Sequence, residues 1–265
     1  MASTLAITSS NRIDQRFAQL REGDRKALVC YVTAGFPDVD RSLDLLLGLE
    51  DAGTDVVEIG IPFSDPIADG PVIQQSSQQA LAGGMNLDRA LELVGRASLK
   101  IPVVLFSYLN PLLAAGNGVL ARAADAGVDG VLVTDLPVGA DPDREDWLGA
   151  SDLAFIRLVA PTTPVARMTE IARNGSGFVY LISRLGVTGI QTGVPTDLPR
   201  TAQLLRGATS LPVCIGFGIS NSEHAREIGG IADGVVVGSA LVSAVATSVD
   251  SALVLARSMR TALDD

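Results

Sequence analysis

Histidine and lysine are nearly missing from this sequence, and each shortage removes chemistry. The 265 residues hold one histidine, His224, so a histidine-based metal site or a Ser-His or Cys-His nucleophile could be built only around that residue. It stands in Asn221-Ser222-Glu223-His224, which reads as the first turn of a helix and leaves it an ordinary solvated side chain. The two lysines, Lys26 and Lys100, each precede an apolar strand-like run. The two cysteines, Cys30 and Cys214, lie far apart inside apolar runs, as buried free thiols in a reducing cytoplasm do. Basic residues are in deficit, 20 Lys and Arg against 30 Asp and Glu. A net charge of −10 leaves no basic excess for nucleic acid or an anionic membrane surface, so the expected ligand is small. The longest uncharged apolar stretch, 235–249, is too short for a membrane span and is broken by Gly238, Ser239, Ser243, Thr247 and Ser248. No basic region ahead of an apolar stretch opens the chain, and a cytoplasmic location is the expectation.

What is present is a regular alternation. Short runs rich in β-branched residues at 27–33, 55–60, 102–108, 130–134, 154–159, 178–183, 212–216 and 234–238 read as eight strands. Between them runs helical periodicity, with Asp141 or Asp143 and Asn221 or Ser222 as cap candidates. Ile13, Phe17 and Leu20, spaced i, i+4, i+7, predict a further helix ahead of the first strand. Eight β-then-α units without a linker-like stretch predict one domain over 1–265, a (β/α)8 TIM barrel with an extra N-terminal helix. The competing open doubly wound sheet would carry Gly-x-Gly-x-x-Gly after its first strand, and this sequence does not.

In such a barrel, function gathers at the C-terminal strand ends. Lys26 and Lys100 fall at the opposite ends, which removes a Schiff-base lysine. Glu58 lies inside an apolar strand, where a parallel barrel covers both faces, so its ionised form is disfavoured and its pKa is expected to rise. The alternative is an ion pair with a buried arginine such as Arg157. The loop after that strand holds two more acids, Asp65 and Asp69, each also explicable as a turn former. Glycine-rich turns follow the last three strands, at 185–189, 216–220 and 238–239, where backbone N–H groups could hold a phosphate without lysine or arginine. Thr33, Tyr108 with Asn110, Asp135 and Tyr180 stand at other strand ends and could line the pocket. Asp135 could be a second catalytic acid or could orient neighbouring loops. The loops 62–69 and 184–193 exceed what a connector needs and are candidate lids.

At these residues the sequence resembles the tryptophan synthase α-subunit family. The likeness runs in order through Tyr31-Val32-Thr33-Ala34-Gly35-Phe36-Pro37, the segment 57–70, Tyr108-Leu109-Asn110-Pro111, 180–189, 216–220 and Gly238-Ser239. It departs at Ile190-Gln191, where many members have a smaller residue and then a basic one. The resemblance implies retro-aldol cleavage of indole-3-glycerol phosphate to indole and glyceraldehyde 3-phosphate, with no cofactor in this chain. It further implies a β-subunit partner that carries pyridoxal phosphate. By the same matching, Glu58 is the catalytic acid-base and Asp69 the group facing the indole N–H. Tyr31, Phe106, Leu132, Leu158, Tyr180, Thr188 and Phe217 would surround the indole. Gly189, Gly218, Gly238 and Ser239 would hold the phosphate, and Pro62, Asp65, Asn110 and Pro111 would meet the partner. The residue inventory agrees with a substrate that supplies its own electron sink: protonation of indole at C3 gives a cation that a carboxylate can stabilise. A phosphosugar isomerase or cyclase, or a lyase working without a partner, are the other readings.

Overall fold

The computed structural model describes residues 11–183, 196–216 and 218–265. Eight strands run β1 (Ala27–Thr33), β2 (Val56–Gly60), β3 (Val103–Ser107), β4 (Gly130–Val133), β5 (Ala154–Val159), β6 (Val179–Ile182), β7 (Val213–Gly216) and β8 (Gly234–Val237). Each is parallel to its chain neighbours, and β8 pairs with β1 to close the barrel. Around them lie α1 (Arg12–Glu22) ahead of β1, α2 (Val39–Asp51), α3 (Pro71–Ala82) and α4 (Leu87–Ala97). They are followed by α5 (Leu109–Ala114), α6 (Val119–Asp125), α7 (Pro142–Gly149), α8 (Val165–Arg173) and α9 (Leu198–Ala208). The last are α10 (Ser222–Gly229), α11 (Ser239–Thr247) and α12 (Val249–Asp264). The barrel and its leading helix are those the sequence predicts. Asp141 and Asn221 are the caps, each accepting a backbone N–H of the first turn.

Register fixes which side chains enter the lumen. Tyr31 pairs with Glu58, Glu58 with Val104 and Phe106 with Leu132, so these residues share the inner face. Leu158 pairs with Tyr180 and Tyr180 with Cys214, which extends that face around the ring. Arg157 has the opposite parity and lies outside the lumen.

The N-terminal mouth is plugged and stapled. Ile13 and Phe17 of α1 are buried there, and a Cβ on Gly130 would stand 2.8 Å from Ile13 Cδ1. Four side chains just ahead of the even strands accept an N–H near the start of the preceding odd strand. Asp55 takes Leu28 N–H at 2.7 Å, Asp129 takes Val103 N–H at 2.9 Å, Ser176 takes Phe155 N–H at 2.8 Å and Asp233 takes Val213 N–H at 2.9 Å. The three aspartates are also met by arginines: Arg16 and Arg260 at Asp55, Arg12 at Asp129 and Arg206 at Asp233. With this end closed, the opposite mouth is left to carry a site.

Candidate active site

The site is built from two carboxyl groups of one strand-loop segment in unlike surroundings. Glu58 is buried in the middle of β2, and its Oε1 finds no hydrogen-bond partner among the described residues. Burial pushes its pKa from 4.5 up to about 8, so the carboxyl is mainly protonated near neutrality. The pairing with Arg157 that the sequence left open does not occur. Arg157 instead holds Glu145 of α7 at 2.6 Å, donates to the carbonyls of Asn174 and Leu136, and lies 3.7 Å over the Phe155 ring.

Asp69 sits half-buried in the loop between β2 and α3. Burial raises its pKa to about 6, against a lowering by the hydrogen bond from Tyr108, so it is mainly ionised at neutral pH. Pro71 at the first position of α3 ends this loop where a missing N–H costs the helix nothing. A neutral acid and an anionic carboxylate on one segment form the division of labour that proton transfer coupled to charge stabilisation requires.

Aromatic side chains close around these groups. Tyr31 meets Phe106 edge-on, with ring centroids 5.2 Å apart at 80°. Both Glu58 and Asp69 act electrostatically on the Tyr31 hydroxyl. Thr33 Oγ1 lies 2.7 Å from Ser76 Oγ, which donates to the Ile73 carbonyl. Ser76 therefore has no proton left to give, and Thr33 donates to it. Tyr180, buried on β6, is also within the electrostatic reach of Glu58. Leu132 is fully buried and Leu158 half-buried.

After the strand next to β1, Gly238 caps α11 without a side-chain hydrogen bond, Ser239 is its first residue, and its first turn contains no acid. Gly218 has φ +86°, a conformation that favours glycine, and a Cβ there would meet none of the described residues within 4 Å. Thr188, Gly189, Phe217 and the loop 184–193 lie outside the described residues. Asp135 takes the orienting role: its Oδ1 accepts Leu109 N–H at 2.8 Å, at the start of α5. Of the residues expected to meet a partner, Asp65 and Asn110 are exposed and Pro111 half-exposed, whereas Pro62 is buried against its own chain because it directly continues β2. Ile67, in the same loop, is 81% exposed. The sequence reading missed the part of Ser76, which looks like an ordinary polar helix residue; its spacing one turn inside α3 carries no signal for contact with β1.

Fold and site together define a (β/α)8-barrel enzyme of acid-base type, a lyase. The chain belongs to the tryptophan synthase alpha chain family, whose profile matches residues 17–263. The alpha chain of Laribacter hongkongensis is 48% identical over 262 residues, covering 96% of this chain and 99% of that one. The Geobacter sp. alpha chain is 49% identical over 235 residues, 88% of each chain. Among solved structures, tryptophan synthase of Mycobacterium tuberculosis superposes with a TM-score of 0.89 at 30% identity, covering 96% of this chain and 99% of that one. The alpha subunit from Legionella pneumophila gives 0.88 at 32% identity, covering 97% and 99%.

Proposed function

We propose that the chain cleaves indole-3-glycerol phosphate to indole and glyceraldehyde 3-phosphate, and that Glu58 moves the protons while Asp69 stabilises the charge. The observation that carries this reading is the neutral Glu58 carboxyl in the lumen, whose Oε1 has no partner among the described residues, on the same strand-loop segment as an ionised Asp69. Protonation of indole C3 gives an indoleninium whose positive charge near N1 faces the Asp69 carboxylate. Loss of the side-chain hydroxyl proton then breaks the carbon-carbon bond, and its electron pair neutralises the indoleninium to release indole. The chain needs no cofactor of its own for this step.

Tyr31, Phe106, Leu132, Leu158 and Tyr180 supply the apolar walls for the ring, joined in this reading by Thr188 and Phe217. The phosphate goes to the backbone N–H groups at Gly218, Gly238 and Ser239, joined in this reading by Gly189, where the uncapped N-terminus of α11 favours an anion. The β subunit, which carries pyridoxal phosphate, docks on the mouth through Asp65, Ile67, Asn110 and Pro111 and receives the indole. The exposed apolar Ile67 on a loop that also carries Asp69 supports that face. Residues 1–265 act as one barrel domain. Among the described residues no helix is long and apolar enough to cross a membrane, and the reading places the enzyme in the cytoplasm.

The test is indole release by Glu58→Gln with and without a β subunit. The variant keeps the side chain's volume and loses the proton shuttle. It is expected to fall by roughly 10²- to 10⁴-fold in kcat while still binding a substrate analogue. Turnover near the wild-type rate would overturn the assignment.

A further inference from the structure

One residue from a neighbouring strand holds the loop that carries Asp69. Tyr108, 3% exposed just past β3, places its hydroxyl between two groups of that loop. Its Oη accepts the Ala68 N–H at 2.9 Å and lies 3.0 Å from Asp69 Oδ2, while its ring packs on Phe63 with centroids 5.1 Å apart. An amide N–H can only donate, so one lone pair of the hydroxyl is occupied and its single proton goes to the carboxylate. That bond suits the ionised form of Asp69; protonating Oδ2 would set two hydrogens against each other. Tyr108 is itself held in place, because the N–H of the next residue, Leu109, is pinned to Asp135 at the end of β4.

We propose that Tyr108 is a positioning residue, whose hydroxyl keeps Asp69 ionised and fixed in place and ties the loop bearing Ile67 to β3. The proposal rests on the reading of Asp69 as the anion facing the protonated indole. The other titratable groups around it are Tyr31 from β1, which Asp69 and Glu58 both influence, Glu58 on β2, and Asp135, which acts on Tyr108. Glu58 is mainly neutral near pH 7. Tyr108 is thus the group whose hydrogen bond opposes the effect of burial on Asp69.

The experiment is the pH profile of kcat/KM for indole release in the full chain, for wild type, Tyr108→Phe and Asp69→Asn, with circular dichroism to confirm folding. The wild type should show an acid limb near the Asp69 value of about 6. Loss of a hydrogen bond to a charged group should move that limb up by on the order of one unit in Tyr108→Phe, so activity roughly a unit below the new limb falls about tenfold. Replacement of Tyr108 by 3-fluorotyrosine keeps the shape and strengthens the donor, and should move the limb down. That variant decides the matter if the phenylalanine does not fold. Asp69→Asn should abolish the limb. If Asp69→Asn abolishes it and neither Tyr108 variant moves it, the positioning role is overturned and the role of Asp69 stands. If Asp69→Asn keeps both activity and limb, the reading of Asp69 itself fails.

Discussion

The Tyr31 hydroxyl occupies the space in which a side chain on Gly60 would begin. Tyr180 and Gly216 stand in the same relation, so two strand-end glycines admit two tyrosine hydroxyls to the neighbourhood of Glu58. Gly60→Ala must push the Tyr31 ring off its edge-on seat against Phe106. Overpacking of this kind costs roughly 1–3 kcal/mol. The variant should fold, melt lower and release indole roughly tenfold more slowly or worse, a barrier change of about 1.4 kcal/mol. Thermal melting paired with steady-state kinetics checks this, and unchanged kinetics would show that the ring's placement is immaterial.

The buried carboxyl of Glu58 should also be visible in stability. Its pKa is about 8 in the folded chain and returns towards 4.5 on unfolding, so between those values the folded state binds a proton that the unfolded state lacks. Stability contributed by this group is therefore complete below about pH 4.5 and lost as the pH rises through about 8. Glu58→Gln removes the titration. Urea midpoints of variant and wild type should diverge across that window in favour of the variant. A difference that stays constant with pH would mean that Glu58 titrates alike in both states.

Gly218 offers a test of the phosphate site that separates strain from obstruction. Among the described residues no atom lies within 4 Å of a Cβ there, and φ is +86°, so Gly218→Ala should bring mainly a backbone penalty, roughly 1–2 kcal/mol. Gly218→Val adds bulk over the donors. It should raise KM for the phosphorylated substrate by roughly tenfold or more beyond the alanine variant, a difference of about 1.4 kcal/mol in binding. Isothermal titration with glycerol phosphate and with indole separates the effects, since only the first ligand should suffer.

Asp129 lies at the opposite mouth and should affect stability without touching turnover. Asp129→Ala leaves the buried Val103 N–H without its acceptor and removes the carboxylate from Arg12, which keeps its bonds to the carbonyls of Leu99, Lys100 and Ile101, a loss of about 1–3 kcal/mol. Asp129→Asn keeps an acceptor and should lose less. Denaturant titration measures the cost, and kcat at temperatures where both variants are folded should match the wild type.

The barrel was legible because parallel strands buried on both faces read as apolar runs, and eight of them alternate with helical periods. Strand ends were read one residue too long at Asp55, Pro102, Tyr108, Thr134, Phe178, Ser183, Pro212 and Gly238. Part of the reason is physical: Tyr108 and Gly238 cap α5 and α11, so they turn from the ladder into the helices that follow. Glu58 was legible as a charge where none is comfortable. The Thr33–Ser76 bond and the hold of Tyr108 on Ala68 and Asp69 were not. They join elements far apart in sequence, and hydroxyl direction emerges only once each donor's partner is known.

The four staples at the plugged mouth fall within the pairs β1–β2, β3–β4, β5–β6 and β7–β8. A break in the chain after an even strand therefore leaves every staple whole, whereas a break between the members of a pair separates a carboxylate or hydroxyl from the amide it serves. By its fastening the ring is four tiles of two strands each, and a tile, not a strand, is the smallest piece that could be exchanged or permuted with its own seam intact.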